Sequence, residues 1–288
     1  MAAMAAATAV FVIGDVFMKL VTEALPPFEV LFLRGLAASA AAALWVALRG
    51  DGHMIASALH GRVLLRAAAE TFSVLCYIVA LARMPIADVI AILQTAPLLV
   101  IVAAAVLLRE PVGATRMALV LLGFAGALMV AQPTAAGVSS AVLLAFATAV
   151  LIAARDLIGR TVPADCPVTV MVLATNVMVT AGAAAMSLAS ERWVAPDALH
   201  LAHLGAAGLL VTLGHAGVLL AYRVGRPAAV APFFYSFALW GLVAGVLVWG
   251  VWPNALALAG LALIVASGVA IVVGGRSPGR GVGERERA

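Results

Sequence analysis

Apolar residues run through this chain in ten blocks of about twenty, at 4–22, 27–48, 62–83, 86–108, 113–132, 138–158, 167–189, 201–222, 227–249 and 254–274. A helix rises about 1.5 Å per residue and the hydrocarbon core of a bilayer is about 30 Å thick, so each block predicts one spanning helix. Between the blocks stand residues that end helices: Pro26-Pro27, Arg49-Gly50-Asp51-Gly52, Pro85, Pro111, Pro133, Pro163, Pro227 and Pro253. The fold predicted is an all-α membrane protein of ten transmembrane helices.

Polar residues inside the blocks keep to single helical faces. Span 3 carries Arg66, Glu70, Ser73 and Tyr77, span 1 carries Thr8, Asp15, Lys19 and Thr22, span 7 carries Thr169, Asn176, Thr180 and Ser187, and span 8 carries Thr212, His215 and Tyr222. A charge facing lipid at mid-membrane costs about 2.5–3.5 kcal/mol on insertion scales, so these faces are expected to turn inward. Spans 5 and 10 are almost free of polar residues and are expected at the periphery. The arrangement predicted is a central polar cavity walled mainly by spans 1, 3, 4, 6, 7, 8 and 9.

The chain also repeats itself. Asp15 and Lys19 match Asp156 and Arg160 at an offset of 141, and Pro26 matches Pro167 at the same offset. Arg83 falls on Arg223 and Ala91 on Ala231 at 140, while Pro111 falls on Pro253 and Gly126 on Gly268 at 142. Residues 1–134 and 138–274 therefore read as two five-helix repeats, and 275–288 as a disordered tail. With a cytoplasmic N-terminus, thirteen arginines lie on the inner side against Lys19, Arg83 and Arg192 outside, with Arg34 inside a span. This asymmetry places both termini in the cytoplasm. An odd number of spans per repeat then inverts the second copy, the arrangement that suits alternating access.

Composition narrows the class further. Of 288 residues, 65% are hydrophobic and 10% charged, and the mean hydropathy is +1.17, far too apolar for a water-facing exterior. The net charge of +4 is read as loop arginine rather than nucleic-acid affinity, since no basic stripe is interleaved with exposed aromatics. Two cysteines, Cys76 and Cys166, give no disulfide framework and no metal cluster. The sole lysine, Lys19, follows Met18, so no Gly-Lys-Ser/Thr phosphate loop exists, and no hydrolase motif occurs. The N-terminal block reads as a retained helix rather than a cleaved signal.

Each candidate residue has a plain structural reading beside the functional one. Asp15–Lys19 and Arg66–Glu70 are spaced to neutralise each other along one helix. Arg34 lies at the depth of Asp15 on a neighbouring span, available to a substrate carboxylate or to Asp15 itself. Glu70 is the most deeply placed acid and the group expected to titrate if transport is coupled to protons. Gln94, Asn176 and His215 serve as interhelical hydrogen bonders or as ligands to substrate. Tyr77, Tyr235 and Trp240 pack the core or wall an apolar substrate. Arg155 and Asp156 read as structural charges near a loop.

Several segments resemble the drug/metabolite transporter superfamily, in its ten-helix EamA-type branch. They are Leu81-Ala82-Arg83-Met84-Pro85-Ile86-Ala87-Asp88, Thr95-Ala96-Pro97-Leu98, Leu107-Leu108-Arg109-Glu110-Pro111-Val112-Gly113 and Leu122-Gly123-Phe124-Ala125-Gly126 in the first half. Val230-Ala231-Pro232-Phe233-Phe234-Tyr235-Ser236 and Ala266-Ser267-Gly268 follow in the second. The resemblance implies a secondary carrier of the bacterial inner membrane, often an exporter of amino acids or other small metabolites. It also implies a central binding cavity with spans 5 and 10 outside it. This chain departs from the family at Phe234, where relatives often carry a polar or charged residue, and at Trp249-Gly250-Val251-Trp252-Pro253, which lacks a common acid.

The function expected is therefore export of a small zwitterionic or amphipathic metabolite. Asp15, Lys19, Arg34, Arg66, Glu70, Tyr77, Gln94, Asn176, His215, Phe234, Tyr235 and Trp240 form the candidate site. No cofactor or metal is implied. The partners expected are the lipid bilayer, a small-molecule substrate and protons, with the protein a monomer or weak dimer. The sequence leaves open uptake of a metabolite such as S-adenosylmethionine, a membrane-embedded enzyme, or a non-transporting scaffold.

Overall fold

A computed structural model describes residues 1–107, 109, 112–132, 138–224 and 230–274. The expected tail at 275–288 lies outside them, as do Glu110, Pro111, Pro133, Arg226 and Pro227. The helices are α1 (Ala2–Val21), α2 (Pro27–Arg49), α3 (Gly61–Arg83), α4 (Ile86–Leu93), α5 (Ala96–Leu107), α6 (Ala114–Ala131), α7 (Ser140–Gly159), α8 (Val168–Ser190), α9 (Ala198–Val224), α10 (Ser236–Trp249) and α11 (Ala255–Gly274). Short 3-10 segments occupy Asp51–Leu59 and Ala231–Tyr235. Among the described residues nine helices are long and apolar enough to cross a membrane, counting Ile86–Val106 as one, and the shorter apolar helix Phe233–Trp249 makes the tenth.

Local chemistry sets the helix ends. Pro27 opens α2, where a missing N–H is harmless, and Gly50 closes it at a φ of 74°. The Ser139 hydroxyl accepts from Val142 N at the start of α7.

Two spans differ from the sequence expectation. The fourth, read as continuous over 86–108, is broken between α4 and α5 at Gln94 and Thr95. Pro97 has no N–H to offer the Leu93 carbonyl and its ring crowds that carbonyl, so the α pattern cannot pass through. The ninth, read as one helix from 227, enters through the 3-10 turn at Ala231–Tyr235. At an offset of 140 the break at Gln94–Thr95 falls on Phe234–Tyr235, and the Gln94 Nε2 donates to the Phe234 carbonyl at 3.4 Å. The two interruptions meet.

Helix packing follows the repeat. The closest pairings are α1 with α9, α3 with α7, α2 with α8 and α6 with α11. Exchanging the first five spans with the last five turns the first pair into the second and leaves the other two unchanged. Helices α6 and α11 meet through glycine: a Cβ on Gly126 would lie 2.6 Å from the Gly260 carbonyl oxygen, and one on Gly260 2.5 Å from the Gly126 oxygen. Without side chains at that crossing, the two backbones approach closely. This pair sits away from the polar centre, with Leu121, Leu128 and Leu256 exposed on its outer face.

Candidate functional site

The main polar cavity, of about 190 Å³, lies between α1, α3, α7, the α4–α5 break and the 3-10 entry to α10. Its walls carry charge at two levels. At one level Glu70 accepts from Arg155 Nη1 at 2.6 Å, and Arg155 Nη2 lies 2.8 Å from Asp156. This bridge ties α3 to α7. At the other level Asp15 and Tyr77 line the cavity, and Arg34 of α2 lies near them without itself lining it. The Tyr77 Oη and the Arg34 Nε are both buried with no hydrogen-bond partner among the described residues. Phe11, Phe234 and Phe237 supply apolar wall, and Gln94 reaches the cavity from the break.

Charge pairing along single helices, which spacing alone suggests, is not what forms. Lys19 turns away from Asp15 and donates to the Leu81 and Met84 carbonyls at 2.6 and 2.7 Å. Arg66 leaves Glu70 to Arg155, donates to Thr175 Oγ1 at 3.3 Å, and lines a separate cleft with His215. His215 Nδ1 is 2.7 Å from the Val211 carbonyl, and its ring stands edge-on to Phe11. Long charged side chains reach partners on neighbouring helices, and Glu70 takes the guanidinium of Arg155 across to α7 rather than that of Arg66 one turn away.

The polar face of α8 does not wall the cavity either. Asn176 donates to the Ala38 carbonyl at 3.2 Å, and Thr180 pairs with Ser39 at 3.2 Å, both across to α2. These groups fasten two helices together. Tyr235 is buried, its ring packed where a Cβ on Gly268 of α11 would fall. Trp240 donates to the Ala5 carbonyl at 3.0 Å and lines an apolar groove against α1 on the opposite side from the cavity. The cavity thus holds Asp15, Glu70, Tyr77, Gln94 and Phe234 of the predicted set, together with Arg155 and Asp156, which the sequence reading set aside as loop charges. The signal for Asp156 was present in the repeat, as the counterpart of Asp15, whereas Arg155 falls on Gly14 and had none.

The Glu70–Arg155 bridge yields a first prediction. Breaking a buried ion pair outright costs about 3–5 kcal/mol, but Arg155 keeps Asp156 as a second acceptor. Glu70→Gln is therefore expected to lower unfolding stability in detergent by about 2 kcal/mol. The double variant Glu70→Gln with Arg155→Met should recover most of it, and a double variant no better than the single one would show that the bridge does not act as a pair.

With the described residues almost wholly helical and ten apolar spans set around a polar cavity, the chain is a multi-pass membrane protein. The model of the EamA-like transporter family, a branch of the drug/metabolite transporters, matches residues 1–132, a little under half of the chain, so the first five spans are similar to that family's. A solved crystal structure covers 92% of this chain and 96% of its own at a TM-score of 0.63 and 20% identity, a likeness of fold. No curated protein matches the chain.

Proposed function

We propose that this protein is a secondary carrier of the bacterial inner membrane that exports a small zwitterionic metabolite, of amino-acid type, by alternating access. The observation that carries the reading is a pair of unsatisfied polar groups, one on the cavity wall and one close behind it. A buried donor without a partner costs about 1–3 kcal/mol, more when charged, yet Arg34 Nε and Tyr77 Oη are both left so, beside a carboxylate. A ligand with a carboxylate for Arg34 and Tyr77 and an ammonium for Asp15 answers all three at once. Phe11, Phe234 and Phe237 suit an apolar side chain. The Glu70–Arg155–Asp156 cluster is already satisfied and asks for no ligand charge. Helix pairings that survive exchange of the two halves support a mechanism in which one half rocks against the other. With both termini cytoplasmic, the two repeats are inverted.

Counterflow tests this reading. Liposomes holding the purified protein and loaded with one unlabelled amino acid are expected to accumulate its labelled form transiently, for one or a few members of a panel. Absence of counterflow for every amino acid and amine tried, with folded protein, would remove the proposal.

A further inference from the structure

Lys19 is the sole lysine of the chain, and it is spent on backbone rather than on any carboxylate. Its Nζ donates to Leu81 O and Met84 O, at the C-terminal end of α3, at 2.6 and 2.7 Å. The last carbonyls of a helix lack intrahelical partners and carry the negative end of its dipole, so an ammonium there is held by charge as well as by hydrogen bonds. The same ammonium lies 5.7 Å from the centre of the Trp249 ring at the end of α10, and Trp249 Nε1 donates to Glu23 at 2.8 Å. One side chain thus draws α1, α3 and α10 together. Lys19 stands one turn beyond Asp15, lining a small vestibule with Asp88 and Trp249, whereas Asp15 lines the main cavity. The knot stands between helices that line the one and helices that line the other.

The repeat supplies a counterpart. At the offset of 141, Lys19 falls on Arg160 at the end of α7, and Leu81 on Tyr222 in the last turn of α9, which ends at Val224. Arg160 is exposed and, among the described residues, its side chain takes part in no hydrogen bond or ion pair. The two ends of the molecule are therefore unequal where the sequence makes them equivalent: one cation is fastened to a helix end and its counterpart is not.

We infer that Lys19 and Arg160 are alternating latches. Lys19 on the end of α3 holds one side of the cavity shut in the conformation described here. In the opposite conformation Lys19 lets go, and Arg160 fastens to the C-terminal carbonyls of α9 and shuts the other side. The inference rests on the carrier reading above and adds to it the two residues that hold the alternate states. Neither is a substrate ligand in this scheme.

The test uses the full chain in liposomes, with Cys76→Ala and Cys166→Ala as background and Ser73→Cys as a cavity reporter read by a membrane-impermeant maleimide. Lys19→Met is expected to raise labelling at position 73 from the Lys19 side about tenfold, the change that about 1.4 kcal/mol produces. Arg160→Met, a change at an exposed side chain that leaves folding intact, is expected to lower it by a similar factor. It should also slow acylation of Lys19 by an impermeant amine reagent, because the latch stays fastened. Lys19→Arg should behave as the parent. If both Met variants shift labelling the same way, or neither shifts it while amino-acid counterflow persists, the latches are wrong and the carrier stands. If the parent labels from one side only and shows no counterflow, both fall together.

Discussion

Arg34→Gln is expected to lower amino-acid flux by roughly two orders of magnitude while the protein remains folded. Removing one member of a buried charge pair typically costs about 2–5 kcal/mol of binding, which at about 1.4 kcal/mol per decade is roughly thirtyfold to several thousandfold. The loss should be selective. An amine lacking the carboxylate never used Arg34, so its flux should change little, and the ratio of the two fluxes isolates the recognition step from any general damage. Asp15→Asn is expected to do the converse, sparing a carboxylic acid that lacks the ammonium. Folding should survive Arg34→Gln because, among the described residues, the Arg34 side chain takes part in no hydrogen bond or ion pair within 4 Å, and its charge acts on Asp15 only from a greater distance. Initial rates in liposomes, normalised to reconstituted protein, check this; equal losses for the amino acid and its amine would deny Arg34 its role.

The largest stability effect is expected where α6 crosses α11. Gly260→Val places branched carbon 2.5 Å from a backbone oxygen, and the only relief is to separate two helices. Overpacking costs about 1–3 kcal/mol when flexible side chains can yield, and here none can, so the variant should exceed about 3 kcal/mol and express poorly. Gly126→Val should match it from the other side. Gly205→Ala is the control: nothing lies within 4 Å of its added Cβ, and alanine is favoured over glycine inside a helix by about 0.5–1 kcal/mol. Thermal unfolding in detergent ranks the three; a Gly260→Val protein as stable as the parent would mean that the close crossing does not form.

Much of the architecture was legible in residue order alone, for physical reasons that also mark where reading stops. Span length is written in hydropathy because lipid tolerates little else, so apart from the start of the ninth the spans emerge within a few residues of their described ends. The break at Gln94 was not written there: 86–106 is apolar enough on average to read as one span despite Asp88, Gln94 and Thr95, and the signal was Pro97, a backbone effect that hydropathy does not see. Polar periodicity said correctly that the faces of α3 and α8 turn inward, but inward has two meanings. Asn176 and Thr180 face α2, whereas Glu70 and Tyr77 face the cavity, and nothing in spacing separates a fastening from a lining. Local pairing misled for the charges. Asp15 with Lys19 and Arg66 with Glu70 satisfy the helical rule, yet each side chain is long enough to reach a neighbouring helix. The repeat pairs Asp156 with Asp15, and both line the cavity.

The most direct measurement of the central claim is a calorimetric titration of the purified protein with three matched ligands: an amino acid carried in counterflow, the amine that lacks its carboxylate, and the acid that lacks its ammonium. The account predicts that the amino acid binds at least about tenfold more tightly than either, about 1.4 kcal/mol, and that Arg34→Gln and Asp15→Asn each remove this advantage. Equal affinity for all three ligands, or an amino-acid affinity indifferent to both substitutions, would contradict it.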